Sequence, residues 1–147
     1  MSVDLDATRL KKLAKQLLLL ESAVNKRAGT GVSAAFRVCE QLRQPLGKTL
    51  GIAGFHALLS RALALSIGEV PWLRGLQINA DGSLADLGEL VVKFDEEKIA
   101  SGEQVLVARL LELLFTFIGP ALTLQLLQDA WPKANFDNLD FGKGQQP

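Results

Sequence analysis

Tyrosine is absent from this 147-residue chain, and cysteine and histidine occur once each, as Cys39 and His56. One cysteine forms no internal disulfide. The pair also excludes a zinc site of four Cys, of two Cys and two His, or of three His within a single chain, because zinc is held mainly by several thiolates and imidazoles. Only a carboxylate site for a harder cation stays open, and no metal or cofactor is expected. Net charge is missing too. The 16 Lys and Arg balance 16 Asp and Glu, so the chain lacks the surplus with which a dedicated nucleic-acid binder neutralises phosphates. Long apolar runs are likewise scarce. The longest uncharged stretch, Leu113 to Gln128, is 16 residues long and holds Gly119, Pro120, Thr116 and Thr123, whereas a bilayer span takes about 20 predominantly apolar residues. The leucine run Leu17–Leu20 follows Lys11, Lys12 and Lys15 but is closed at once by Glu21, with no small-residue cleavage site. A cytoplasmic protein with no membrane span is the expectation.

What is present is apolar side chain, 48% of the residues. A chain of this size buries roughly 68–70% of the surface its unfolded form exposes, enough for one self-sufficient core. The charges are unevenly placed: residues 1–50 carry nine basic and four acidic side chains, and residues 51–103 carry four and eight.

Helical spacing dominates. Leu10, Leu13, Leu17, Leu20 and Val24 lie 3 and 4 apart, predicting a helix over 6–27 with one apolar stripe. Ser33 is placed to cap a second helix to about Gln44. Pro45 disfavours helical geometry at Gln44, so Pro45-Leu46-Gly47 is expected to form a corner before a third helix from Lys48 or Thr49 to Ile67. That helix is apolar almost all round, as is a later one over Val105–Ile118, for which Ser101-Gly102-Glu103-Gln104 reads as a capping box. These two are expected to be the most buried, in contact through Gly51, Gly54 or Ala57. On the later one, Arg109 and Glu112 are spaced to pair as i, i+3 neighbours. Gly119-Pro120 opens a last helix to Trp131. Between them, Leu76-Gln77-Ile78, the turn signal Asn79-Ala80-Asp81-Gly82 and Ser83-Leu84 predict a small hairpin, with a helical turn capped by Ser83 as the alternative. No internal repeat is visible. The fold class is mainly α: a compact bundle of about five helices with a small β-hairpin or turn insertion near residues 74–85. Residues 1–132 form the single domain and 133–147 a tail.

Few constellations carry chemistry. If the chain turns at Pro45–Gly47, Cys39 and His56 fall at similar distances from the corner and become neighbours, the geometry of a nucleophilic pair. An apolar setting instead makes Cys39 a small inert hydrophobe. Phe55-His56-Ala57-Leu58-Leu59-Ser60-Arg61 loosely resembles the helix of phosphorelay transfer domains, which implies phosphotransfer through His56, but Leu59 stands where those domains usually carry a basic residue. His56 shares a face with Ile52, Leu59 and Leu63, which favours a packed imidazole. Gly47-Lys48-Thr49 ends like a phosphate-binding loop but lacks its upstream glycine and strand. Asp95, Glu96, Glu97 and Glu103 form an acidic cluster without the pattern of a calcium loop.

These observations point to a non-catalytic protein–protein interaction or adaptor domain. The alternatives are a phosphotransfer or Cys-dependent enzyme using His56 or Cys39, and a carrier of an apolar ligand in the Leu-rich bundle. Partner-binding residues are expected at Lys11, Lys12, Lys15, Asp95, Glu96 and Glu97, and at Phe136 and Phe141, which with Leu139 interleave Asp137 and Asp140 in a docking peptide or a segment that packs back on the bundle. The partner is a protein, and a second copy of the chain is one candidate. In such a homodimer Lys11, Lys12 or Lys15 approaches the Asp95–Glu97 cluster of the other chain, and the Leu10–Val24 seam, the Trp72–Leu73 corner or Trp131 supplies apolar area.

Overall fold

The computed structural model describes residues 7–28, 34–85, 96–132 and 134. It contains the helices α1 (Ala7–Ala28), α2 (Ala34–Glu69), α3 (Glu96–Ile118) and α4 (Pro120–Ala130). A 3-10 turn (Pro71–Gly75) and the strands β1 (Gln77–Ile78) and β2 (Leu84–Ala85) lie between α2 and α3. The expected helical bundle with a minor hairpin is what forms. The strands pair antiparallel, Gln77 opposite Ala85 and Ile78 opposite Leu84. Their turn is closed by the Gly82 amide donating to the Asn79 carbonyl and by Asp81, whose carboxylate accepts from the Ser83 amide and hydroxyl. Those bonds from Ser83 hold the Asp81 carboxyl below its usual pKa. The alternative helical turn after Ser83 falls largely on residues 86–95, outside the described residues.

The core is one cluster. Leu10, Leu13 and Leu17 of α1 join Leu42, Leu46, Phe55 and Leu59 of α2, Leu106, Leu110 and Leu114 of α3, and Leu127 of α4. Helix α3 is the internal rod, in extensive contact with both α1 and α2, as its apolar circumference requires.

The corner expected at Pro45–Gly47 lies elsewhere. The helix runs through Pro45 and breaks at Gly51, whose φ of 82° and ψ of 158° are non-helical. A proline removes one backbone donor but leaves the following turns able to form. Here Leu42 and Leu46, both buried, hold the chain on the core on either side of it, and the Thr49 hydroxyl donates to the Pro45 carbonyl at 3.1 Å. The conformation at Gly51 is open essentially to glycine alone. Gly119 repeats it, with φ 88° and ψ 159°. After each glycine the residues four, eight and twelve positions on are buried: Phe55, Leu59 and Leu63 after Gly51, and Thr123, Leu127 and Trp131 after Gly119. One helix–glycine–helix corner is therefore used twice, with too few shared side chains to be visible as a repeat. Where Phe55 has an aromatic ring, Thr123 buries a hydroxyl with no hydrogen-bond partner among the described residues.

Two further expectations are overturned. The half of α2 beyond Gly51 is not among the most buried segments: Gly51, Ile52, Ala53 and Ala57 are exposed, and Phe55, Leu59, Ala62, Leu63 and Ser66 carry its packing instead. Residues 101–104 do not cap a helix starting at Val105, since α3 already begins at Glu96. They make long-range joints. Gly102 is pressed against the Trp72 indole so closely that a Cβ would overlap it, the Glu103 carboxylate accepts the Ala35 amide at 3.3 Å and so caps the start of α2, and Gln104 donates to the Lys11 carbonyl at 2.9 Å.

A buried carboxylate joins three helices. Glu21 of α1 is 2% exposed; it accepts from Arg37 Nε at 3.0 Å and Gln41 Nε2 at 3.5 Å on α2, and from the Trp131 indole N–H at 2.7 Å just after α4.

Stability measurements check both the corner and the joint. Nothing stands within 4 Å of a Cβ placed on Gly51 or on the helical Gly68, so backbone conformation alone decides the effect. Gly51→Ala lowers the unfolding free energy by about 1–3 kcal/mol, while Gly68→Ala raises it by up to about 1 kcal/mol, both read from urea denaturation. Glu21→Ala costs about 2–3 kcal/mol, because the Trp131 N–H loses its acceptor and the partly exposed Arg37 recovers some hydration; thermal melts with fluorescence detection check it.

Candidate functional site

Helix periodicity divides α1 into two faces. Leu10, Leu13, Ala14 and Leu17 are buried, and Lys12, Lys15, Leu19 and Ala23 face outward. Leu19 is 60% exposed, a large apolar side chain held among lysines. It borders two shallow grooves. The first, about 390 Å³, is lined by Lys12, Lys15, Gln16, Leu19, Leu20 and Ala23. The second, about 350 Å³, runs between α1 and the start of α3, with Lys15, Leu18, Leu19 and Ser22 on one side and Glu97, Ala100, Ser101 and Gln104 on the other. Lys15 and Leu19 belong to both, so the two grooves are one continuous surface.

The expected partner-binding residues are thus partly assembled. Lys12 and Lys15 share the surface, and Glu97 lines the second groove together with Lys15 of the same chain. Lys11 lies apart, bordering a separate cavity of about 80 Å³ with Leu10, Glu69, Val105, Ala108, Arg109 and Glu112. There Arg109 makes the expected bond to Glu112, at 2.9 Å, and a further one to Glu69. Both carboxylates hold the guanidinium pKa above its usual value. Glu96 opens α3. Asp95, Phe136 and Phe141 lie outside the described residues. Leu19 was not singled out by sequence, although its place between Lys15 and Ala23, off the buried stripe, was the available signal.

The catalytic candidates are kept apart. With the corner at Gly51, Cys39 is twelve residues before it and His56 five after. In a helical hairpin that offset of seven residues is about 10 Å of axial rise, and no hydrogen bond joins the two among the described residues. Cys39 is buried, its thiol pushed up to about 12 chiefly by desolvation and then by the charges of Glu40 and Glu103. The thiolate needed for nucleophilic attack does not form at neutral pH. His56 is half-buried, with Nδ1 3.4 Å from the Ser60 hydroxyl on its own helix. The 80 Å³ cavity is far below the roughly 300–1,000 Å³ of small-molecule sites, and it is bordered by charges.

Helix α2 is long and apolar enough, by length and composition alone, to cross a membrane. Its 18-residue apolar window has a mean hydropathy of 1.5 and is 28% buried. Arg61 interrupts the uncharged run, which is why counting uncharged residues passed over it. No family model matches the chain, and no curated protein or solved structure is significantly similar to it.

The Cys39 thiol supplies a pH test. Its folded pKa lies above the unfolded value, so the folded state holds the proton longer, and its contribution to stability is complete below about pH 9 and lost between there and about pH 12. Over that window wild type loses stability relative to Cys39→Ala by about 1.4 kcal/mol per pH unit, measured by urea denaturation at pH 8, 9.5 and 10.5.

Proposed function

We propose that the protein is a non-catalytic interaction module of the cytoplasm, and that the outer face of α1 receives a short apolar segment of a partner protein flanked by acidic residues. The observation that carries this reading is Leu19, exposed where two grooves meet and bordered by Lys12 and Lys15. A large apolar side chain at the edge of a groove is a ready anchor for a partner. In such an interface the apolar anchor supplies most of the affinity, and the rim charges supply orientation and association rate.

An acidic partner fits this face better than a second copy of the chain. Two α1 faces set against each other would oppose Lys12 and Lys15 to the same residues. In the dimer that pairs these lysines with the Asp95–Glu97 cluster, Glu97 already lines the second groove with Lys15 of its own chain. The apolar area assigned to a homodimer is also mostly used within the chain: Leu10, Leu13 and Leu17 are buried, Leu73 is buried and Trp131 is 7% exposed. An enzyme built on Cys39 or His56 finds no support in the burial of the thiol or in the separation of the two groups.

Peptides of mixed acidic and apolar composition, titrated against the full chain by fluorescence anisotropy, test the reading. Binding should weaken about tenfold or more in Leu19→Asp, the loss expected when an interface anchor worth roughly 1–2 kcal/mol is removed, with no fall in melting temperature. Lys12→Glu/Lys15→Glu should weaken it as well and flatten its salt dependence. Binding indifferent to all three substitutions would overturn the assignment to α1.

A further inference from the structure

The second groove has two helical walls. Its lining runs from Lys15 to Ser22 on α1 and from Glu97 to Gln104 on α3, and along each wall the lining positions step by three, one and three residues. That is the spacing of the face one helix turns to another. The two walls run antiparallel. Leu10 and Lys11 border residues from Val105 to Glu112, whereas Lys15 to Ser22 border Glu97 to Gln104, so numbers rise along α1 as they fall along α3. Low side chains, Ser22, Ala34, Ala100 and Ser101, line the space between, with the exposed Leu19 beside them. The charges divide by end. Lys12 and Lys15 stand at one end, neither in an ion pair among the described residues, and Glu97 stands at the other.

We propose that the partner segment docks as a single amphipathic helix along the groove between α1 and α3, with its acidic end at Lys12 and Lys15. The proposal rests on the reading of α1 as a docking face, and adds the second wall and the conformation of the occupant. Backbone chemistry selects a helix. Neither wall offers the row of unpaired amides and carbonyls that a sheet edge gives an extended peptide, so a segment pressed between them must satisfy its own main chain, which a helix does. Size agrees with this. The continuous surface extends from Lys12 to Ala23, roughly 16 Å of axial rise or three turns of a docked helix. Side chains of leucine size on that helix fill the space above the alanines and serines, against Leu19. Charge sets its direction, because carboxylates at one end meet the lysines while the other end keeps clear of Glu97. The α1 helix of a second copy does not fit, since its outer face brings no carboxylate to set against Lys12 and Lys15.

A fluorescent peptide with leucines at positions i, i+3, i+4 and i+7, two glutamates at one end and alanine and glutamine elsewhere tests this on the full-length chain. Its circular dichroism should gain helix on binding. A proline at its centre should weaken binding about tenfold or more, since it breaks the helix and leaves the charge unchanged. Ala100→Trp fills the α3 wall from an exposed position and should weaken the unbroken peptide about tenfold with no fall in melting temperature; the proline peptide puts the same question without altering the chain. Lys12→Glu/Lys15→Glu should weaken binding too, and exchanging the peptide's glutamates for lysines should restore it. Equal affinity for the two peptides, or binding indifferent to Ala100→Trp, would overturn the helix in the groove. Leu19-dependent binding would then leave α1 standing as a docking face for an extended segment, and binding by none of these peptides would remove both readings. Self-association of the wild-type chain that Ala100→Trp abolishes would assign the groove to a second copy instead.

Discussion

The backbone conformation at Gly51 and Gly119 is the constraint on which the rest of the structure depends. A straight helix of the 36 residues of α2 would be about 54 Å long, nearly twice the roughly 30 Å diameter of a small domain. Its apolar side chains extend along the whole length, so one straight rod would leave half of them without a neighbour. Turning the chain at a residue with no Cβ lets both halves of α2 reach α3, and the same device folds α4 back from the end of α3. Once the rods are short enough to meet, polar side chains set how they meet. Glu21 ties α1 to α2 and to the end of α4, and Glu103 caps α2 from the middle of α3. These bonds are formed in low dielectric, where they are costly to leave unmade, and they fix the register of rods whose leucines alone would slide.

Much of the fold was legible in the sequence, because periodicity and turn chemistry are local. The stripe Leu10, Leu13, Leu17, the hairpin at 77–85, the Arg109–Glu112 pair and the break at Gly119 all come from spacing. What was not legible shares one cause: a local signal was overruled by distant packing. Pro45 is the stronger breaker by propensity, yet Leu42 and Leu46 keep its helix on the core, and the chain turns six residues later at a glycine that looks like any other small residue of that helix. Ser101, Gly102, Glu103 and Gln104 have the composition of a helix start. Trp72, Ala35 and Lys11 recruit three of them from 30 or more residues away, and proximity of that kind has no trace in a sequence window.

The site was legible in part for the same reason. Lys12 and Lys15 stand off the apolar stripe and were bound to face outward. That Glu97 would line a groove with Lys15 of the same chain required knowing that α1 and the start of α3 lie side by side. The suggestion that Cys39 and His56 are neighbours failed with the corner: moving the turn from residue 46 or 47 to Gly51 changes their offset from about two residues to seven. A shift of about five residues in one turn thus removes the local argument that paired the two groups.

The distribution of ionisable groups between interior and surface bears on function. Glu21 and Glu103 are buried, and each is engaged by donors from other elements. Cys39 is buried and neutral. Arg109 is held by Glu69 and Glu112. These groups act as joints, and a group committed to a joint is not free to exchange protons or attack a substrate. Lys11, Lys12 and Lys15 are left outside on α1, and at the last two the imbalance of charge along the chain becomes spatial: Glu97 lines the second groove with Lys15, whereas no acidic side chain lines the first among the described residues. On the proposed reading, Leu19 is the anchor for an acidic and a neutral segment alike, and the lysines of the first groove select between them.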